Sequence, residues 1–253
     1  MESTERFGYE WSKFNSIIPG FEILFLKWVY PLNPKDFRNK RVLDAGCGAG
    51  RNSYWPLVYG AKEVISIDYD ARTVESARKN LSKFKNSNVK FESIYGIKYN
   101  EEFDIAFSIG VIHHLENPEL AIKNLVKSVK KNGIVLLWVY GYEGNEWIVK
   151  YINPIRKVAS RLPLPLVNFF ANFLSVPLFL FIKIFKPSNP YLKQLSEFPF
   201  WYIHSLAFDQ LIPRISNYWK KEEALKLLRE KGLRNIKIYR VNENSWTVIG
   251  KKI

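Results

Sequence analysis

The chain has 253 residues, 47% of them apolar, with 38 Lys and Arg against 24 Asp and Glu, a formal net charge of +14. That size and apolar share suit one large domain, or a domain with a sizeable insertion, and exclude a disordered tail or a disulfide-stapled mini-protein. A single cysteine, Cys47, excludes a disulfide framework and a cysteine-rich zinc cluster, so no metal site is expected. One Met, one Cys and two Gln beside abundant Lys, Glu and Ile fit a heat-adapted protein. Residues 1–16 are polar and aromatic, so no signal peptide and a cytoplasmic location are expected.

Taken in order, Thr4 to Tyr30 predicts one or two amphipathic, aromatic-rich helices within an N-terminal cap over 1–37. Strands are expected at 41–45, 64–68, 89–93, 103–108 and 134–140, with helices at about 52–59, 70–84 and 118–130 between them. Strands alternating with helices predict an α/β fold, a doubly wound, mostly parallel sheet with helices on both faces. This core occupies 38–142. Residues 143–217 form an insertion, and 218–253 supply a helix over Lys221–Lys231 stopped by Gly232, then strands at 235–240 and 245–250 that bring the sheet to seven.

From Leu162 to Ile182 no residue is charged, a length that would just span a bilayer. Pro163, Pro165, Pro177, Asn168 and Asn172 argue against a spanning helix, as does the position between two halves of one sheet. The expected role is an apolar helical lid over the active site. The alternative is in-plane contact with an anionic membrane, because Lys150, Arg156, Lys157, Arg161, Lys183 and Lys186 flank the run.

The stretch Val42-Leu43-Asp44-Ala45-Gly46-Cys47-Gly48-Ala49-Gly50 carries the most chemistry. A short apolar strand breaks into alternate glycines, where a ligand can lie against peptide atoms and the next helix offers unpaired N–H groups. A phosphate loop would continue with Lys-Ser/Thr, but Arg51-Asn52 stand there, and the dinucleotide fingerprint would need its third glycine at position 51. Asp44, before the first glycine, repels a pyrophosphate and suits a cation such as the ammonium of a methionine moiety. Asp68, at the tip of the second strand, can accept both ribose hydroxyls. Two acids, no phosphate binder and an adenosine-sized gap point to S-adenosylmethionine.

With VLDAGCGAG, VISIDYD, FDIAFSIGVIHHL and KNGIVLLWVYG in this order, the sequence resembles the class I S-adenosylmethionine-dependent methyltransferases, closely over 38–142 and loosely over 218–250. The resemblance implies that family's Rossmann-like strand order with the last strand antiparallel. It also implies S-adenosylmethionine as cofactor, S-adenosylhomocysteine as product, and cofactor contacts from Asp44, Gly46, Gly48, Gly50, Asp68 and Tyr69, which would cover the adenine. Ser108 and Ile109, after the fourth strand, would complete the site. The family usually carries an acid after the third strand, near the adenine amine; Phe91-Glu92-Ser93-Ile94-Tyr95 shows none at the expected place, so Ser93 or the Ile94 backbone stands in.

Methyl transfer is an in-line displacement, so the protein chiefly aligns the acceptor and excludes water. His114, or its neighbour His113, is the candidate proton acceptor. His204 and Asp209, polar points in an apolar insertion, are candidate acceptor-side contacts, and Phe7, Tyr9 and Trp11 could close over the sulfonium. The Asn/Asp-Pro-Pro-Tyr/Phe motif of DNA amino-methyltransferases is absent, and Cys47 is misplaced for a cytosine-C5 nucleophile, so DNA is excluded. A small-molecule or lipid-like acceptor of the quinone or glycan type is expected. RNA is the second choice, since the Ile-His-His block looks like that of tRNA wobble-uridine carboxymethyl methyltransferases; a non-catalytic cofactor-binding protein is the third.

Overall fold

The computed structural model describes Ser3–Ile253; the first two residues of the expected 1–37 cap and of the 1–16 leader reading lie outside these. In chain order the helices and strands are α1 (Ser3–Lys13), α2 (Phe21–Trp28), α3 (Pro34–Phe37), β1 (Arg41–Ala45), α4 (Arg51–Val58), β2 (Glu63–Asp68), α5 (Ala71–Leu81) and β3 (Ser87–Phe91). There follow β4 (Phe103–Ile109), α6 (Pro118–Ser128), β5 (Val129–Tyr140), α7 (Asn153–Ala159), α8 (Leu164–Phe185), α9 (Pro190–Leu195), α10 (Phe200–Asp209), α11 (Lys221–Lys226), β6 (Leu233–Val241) and β7 (Ser245–Lys252).

The strands form one seven-stranded sheet in the order β3-β2-β1-β4-β5-β7-β6. The first five neighbours pair in parallel, and β7 runs antiparallel between β5 and β6. This is the doubly wound α/β class and strand order expected. Alternation along each strand feeds two cores: Val42 and Val64 pack with Phe25, Trp55 and Leu81, while Leu43 and Ile65 pack with Ile122, Leu125 and Leu228 on the other face.

Several boundaries move for local reasons. The strand expected at 134–140 begins at Val129, because Asn132 adopts a left-handed φ of 63° and residues 130–133 bulge out between the Phe103 and Ile105 pairings. The helix expected to reach Lys231 ends at Lys226: the bonds from Leu227, Leu228 and Arg229 close three-residue rather than four-residue turns, which tucks Leu227 and Leu228 inward. β3 sits two residues earlier than expected, leaving Glu92 and Ser93 beyond the strand end.

The insertion is helical as expected, but its apolar run is not the part that meets the site. α8 continues unbroken through Pro177 and packs one stripe (Val167, Ala171, Ser175 and Ile182) inward, chiefly on α10. α1 is pinned to this insertion by buried Arg6, whose guanidinium donates to the carbonyls of Ile212 (2.9 Å), Leu162 (3.1 Å) and Ala159 (3.2 Å). α1 and α10 therefore stand as a fixed pair of walls above the carboxyl ends of the strands.

Candidate active site

A cavity of about 360 Å³ opens at the carboxyl ends of β1, β2, β4 and β5, the position that an open α/β sheet offers to ligands. Its floor is the loop after β1. Gly46 has φ +83°, and a Cβ there would meet the Val111 side chain at 2.4 Å, so no other residue fits. Gly48 donates its N–H to Asp68 Oδ2 (3.0 Å), and the Asp70 N–H reaches Asp68 Oδ1 (3.3 Å). Burial still pushes the Asp68 carboxyl up to about 6, which marks a cavity-wall acceptor with too few donors. Beside it Tyr69, half exposed, stacks on Phe91 at 5.1 Å, forming an aromatic shelf.

Of the residues singled out in the sequence, Gly46, Gly48, Asp68, Tyr69, Ser93, Ile109, His114 and Asp209 line this cavity, with Phe7 and Trp11. Asp44, Gly50, Ser108, His113, His204 and Tyr9 do not. Asp44 shares the face of Val42, pointing toward α4. Its Oδ2 accepts from the Ser53 hydroxyl (2.6 Å), which accepts from that of Ser66 (2.7 Å). Through Oδ2 it ties α4 to the sheet, while its buried Oδ1 has no hydrogen-bond partner, and burial raises the carboxyl to about 7. Gly50, with φ +81°, is the N-cap of α4 against Leu81 and Ala77. Ser108 donates to the Ala45 carbonyl (2.8 Å), a strand-to-strand bond below the floor.

The two histidines separate. His113 is fully buried, its ring stacked on Tyr140 at 3.7 Å, and burial holds it well below the usual imidazole range. His114 reaches the cavity. Its Nδ1 lies 2.8 Å from the Ile215 carbonyl, which can only accept, so Nδ1 carries the proton and Nε2 keeps its lone pair. Burial pushes His114 down to about 3, leaving it neutral near pH 7 and a poor proton sink. His204 lies between α10 and α8, bonded to Ser175 Oγ (2.9 Å) and Asn168 Oδ1 (3.2 Å), away from the cavity. Tyr9 packs on Phe208.

The largest group not anticipated is a buried charged cluster under α1 and α10. Arg51 lines the cavity with its guanidinium over the Phe21 ring (3.9 Å) and the Trp11 ring (4.9 Å); among the described residues no carboxylate is within ion-pair distance of it. Glu10 also lines the wall, and its buried Oε2 has no hydrogen-bond partner. Asp209 Oδ2 accepts from the Tyr140 hydroxyl (3.0 Å). Burial raises both carboxyls, and the nearby Asp209 raises Glu10 further. One signal was available for Arg51: a cation at the first position of a helix opposes the helix dipole and calls for another reason. Asp209 was marked by its polarity within an apolar run; Glu10 carried no local signal.

Residues 36–144 match the family model described as a methyltransferase domain. A tRNA U34 carboxymethyltransferase of Campylobacter hominis is 33% identical over 117 residues, 45% of this chain and 40% of that one. The ubiquinone biosynthesis O-methyltransferase of Pelagibacter ubique is 28% identical over 128 residues, 47% of this chain and 53% of that one. The chain thus spans about half, or less, of these curated relatives' length. Among solved structures, an S-adenosylmethionine-dependent methyltransferase from Aquifex aeolicus superposes with a TM-score of 0.57 at 14% identity, covering 97% of this chain and 98% of that one. Residues 36–144 thus match a methyltransferase domain, and the fold around them is the Rossmann-like one of S-adenosylmethionine-dependent methyltransferases.

Proposed function

We propose that the chain transfers a methyl group from S-adenosylmethionine to a small or lipid-like acceptor held between α1, α10 and the end of β5. The observation that carries this reading is the pair of unmatched charges on one cavity wall. Arg51 and Glu10 flank the glycine floor, and among the described residues neither has a salt-bridge partner. A zwitterionic amino-acid end fits them, its carboxylate on the Arg51 guanidinium and its ammonium on Glu10, the role first expected of Asp44. The donor-poor Asp68 suits two ribose hydroxyls, and the Tyr69–Phe91 shelf suits an adenine.

When bound, the cofactor supplies an electrophilic methyl on a sulfonium; everything else falls to the chain. Phe7, Trp11, Trp138 and Leu206 line the space and exclude water, which removes the competing nucleophile. Asp209 is the proton acceptor favoured for an acceptor hydroxyl or amine. It lines the cavity, its raised affinity for protons matches the task, and the Tyr140 hydroxyl fixes its Oδ2. His114, neutral and with Nε2 free, orients the acceptor as a hydrogen-bond acceptor instead of taking the proton.

RNA is the second reading, favoured by the net charge of +14 and by the relative named for tRNA U34. Two measurements test both. Calorimetric titration with S-adenosylmethionine, S-adenosylhomocysteine and NAD should give binding for the first two alone; binding of none, or of NAD alone, overturns the cofactor assignment. Transfer of tritiated methyl to a lipid extract and to total tRNA, in parallel, then decides the acceptor class: label in the tRNA fraction alone refutes the small or lipid-like reading.

A further inference from the structure

We propose that the outer face of α8, together with the segment from Trp147 through α7, docks in the plane of an anionic phospholipid bilayer. α8 is 22 residues long with a mean hydropathy of 1.8, yet only 22% of its most apolar window is buried. A soluble core helix would be mostly buried, and an export signal would not lie between two strands of one folded sheet, so neither ordinary source of such a helix applies. Its outward stripe carries Phe169, Phe173, Leu180, Phe181, Ile184 and Phe185, all exposed, with Phe173 at 67% and Phe185 at 69%. Just before it, Trp147, Tyr151, Ile155 and Val158 recur at three- and four-residue spacing, and all are more than half exposed. Exposed apolar surface of this extent marks an interaction site.

The charges around this face select the partner. From Trp147 to Ser196 the chain has seven Lys and Arg and no Asp or Glu. Six of them, Lys150, Lys157, Arg161, Lys183, Lys186 and Lys193, are exposed. A second copy docked by two-fold symmetry would set these cations against themselves with no carboxylate to answer them. Anionic headgroups answer them directly, and a helix with an apolar face and basic flanks lies in the interface with its apolar side about 5–10 Å deep. The inward stripe of α8, held on α10 through Ser175 and His204, keeps the helix on the domain and prevents it from crossing. The opposite side of α10 lines the cavity through Tyr202, Ser205, Leu206 and Asp209. Docking would therefore hold the cavity about one helix diameter, roughly 10 Å, from the lipid.

The inference goes beyond methyl transfer and is read without it, by co-sedimentation of the full chain with vesicles of phosphatidylcholine alone or mixed with phosphatidylglycerol. The expected result is partition at least about tenfold stronger onto the anionic vesicles, weakening as salt is raised. Phe173→Asp with Phe181→Asp should lower partition about tenfold or more while leaving S-adenosylmethionine binding unchanged, since both side chains face solvent. Lys157→Glu with Arg161→Glu should abolish the preference for anionic vesicles and keeps the proposal testable if the first pair misfolds. A wild-type chain that stays in the supernatant with both vesicle types overturns it. So does partition that neither variant changes, or a wild-type dimer that Phe173→Asp dissociates while vesicles bind neither form.

Discussion

The β1–β5 half of the sheet and the insertion carrying α7–α10 are built on opposite terms. In the first, apolar strands, a glycine floor and Asp68 make one end of the cavity from parts that lie close together in sequence, and the methyltransferase-domain match covers it, ending at residue 144. In the second, helices beyond that match bring Tyr202, Leu206 and Asp209 to the same cavity while leaving a broad apolar face in solvent. In the proposed reading the cofactor end is generic, and what selects the acceptor sits on α10 and on α1, which Arg6 clamps to the insertion. Mutations should therefore sort into two classes with different readouts.

The largest separation is expected from Asp209→Asn, which keeps the shape and the bond from Tyr140 but removes the proton acceptor. Methyl transfer to the labelled acceptor fraction should fall by about 10²–10⁴-fold, with cofactor affinity nearly unchanged. A matching loss of cofactor affinity would break the division between the two regions. Asp68→Ala should act the other way. Losing two hydrogen bonds to a charged group, each about 1.5–3 kcal/mol, should weaken S-adenosylmethionine by about 10²-fold or more in calorimetry. Unchanged affinity there would remove the cofactor from this floor.

The same contrast explains what could be foreseen. Gly46, Gly48, Asp68, Tyr69 and Ile109 were legible because local chain geometry fixes them: a glycine turn after one strand and an acid at the tip of the next. Asp44 stands off the cavity wall because of strand alternation: two residues after Val42, it shares that residue's face and points to Ser53. The roles of His113 and His114 could not be divided from the sequence, since a short helical turn over Ile112–His114 decides which ring meets the cavity. Glu10, Tyr140 and Asp209 meet only through packing of elements as much as 199 residues apart, which no local spacing encodes. For the insertion, composition gave helices and apolarity but not which face would be covered.

A smaller effect should come from pH. If, as proposed, the ribose hydroxyls donate to an ionised Asp68, cofactor affinity should fall as pH drops through about 6, by at most about tenfold per unit. Stability of the unliganded chain should move oppositely. Asp44 and Asp68 hold protons to about 7 and about 6 when folded, above the unfolded carboxyl value near 4, so the folded state binds more protons in that window. Their contribution to stability is present at acid pH and is lost as pH rises through those values. Thermal melts from pH 5 to 8, with and without S-adenosylmethionine, should show the cofactor's stabilisation growing toward pH 8; a stabilisation constant across that range would contradict the ribose assignment.

The smallest effect should come from His204, and it discriminates between the two roles open to a histidine in the insertion. Because Asn168 Oδ1 can only accept, Nε2 carries the proton and Nδ1 accepts from the Ser175 hydroxyl, so one neutral ring stitches α10 to α8. Replacement by Leu leaves a buried hydroxyl and an amide oxygen without their partner, at a cost of about 1–3 kcal/mol. In a chain of this size that is a melting shift of about 2–4 °C for each kcal/mol. Cofactor affinity and methyl transfer at low temperature should be retained, because the ring stands on the side of α10 away from the cavity. Loss of transfer as deep as that of Asp209→Asn, with the melting temperature unchanged, would make His204 an acceptor contact and require α10 to turn about its axis during the reaction.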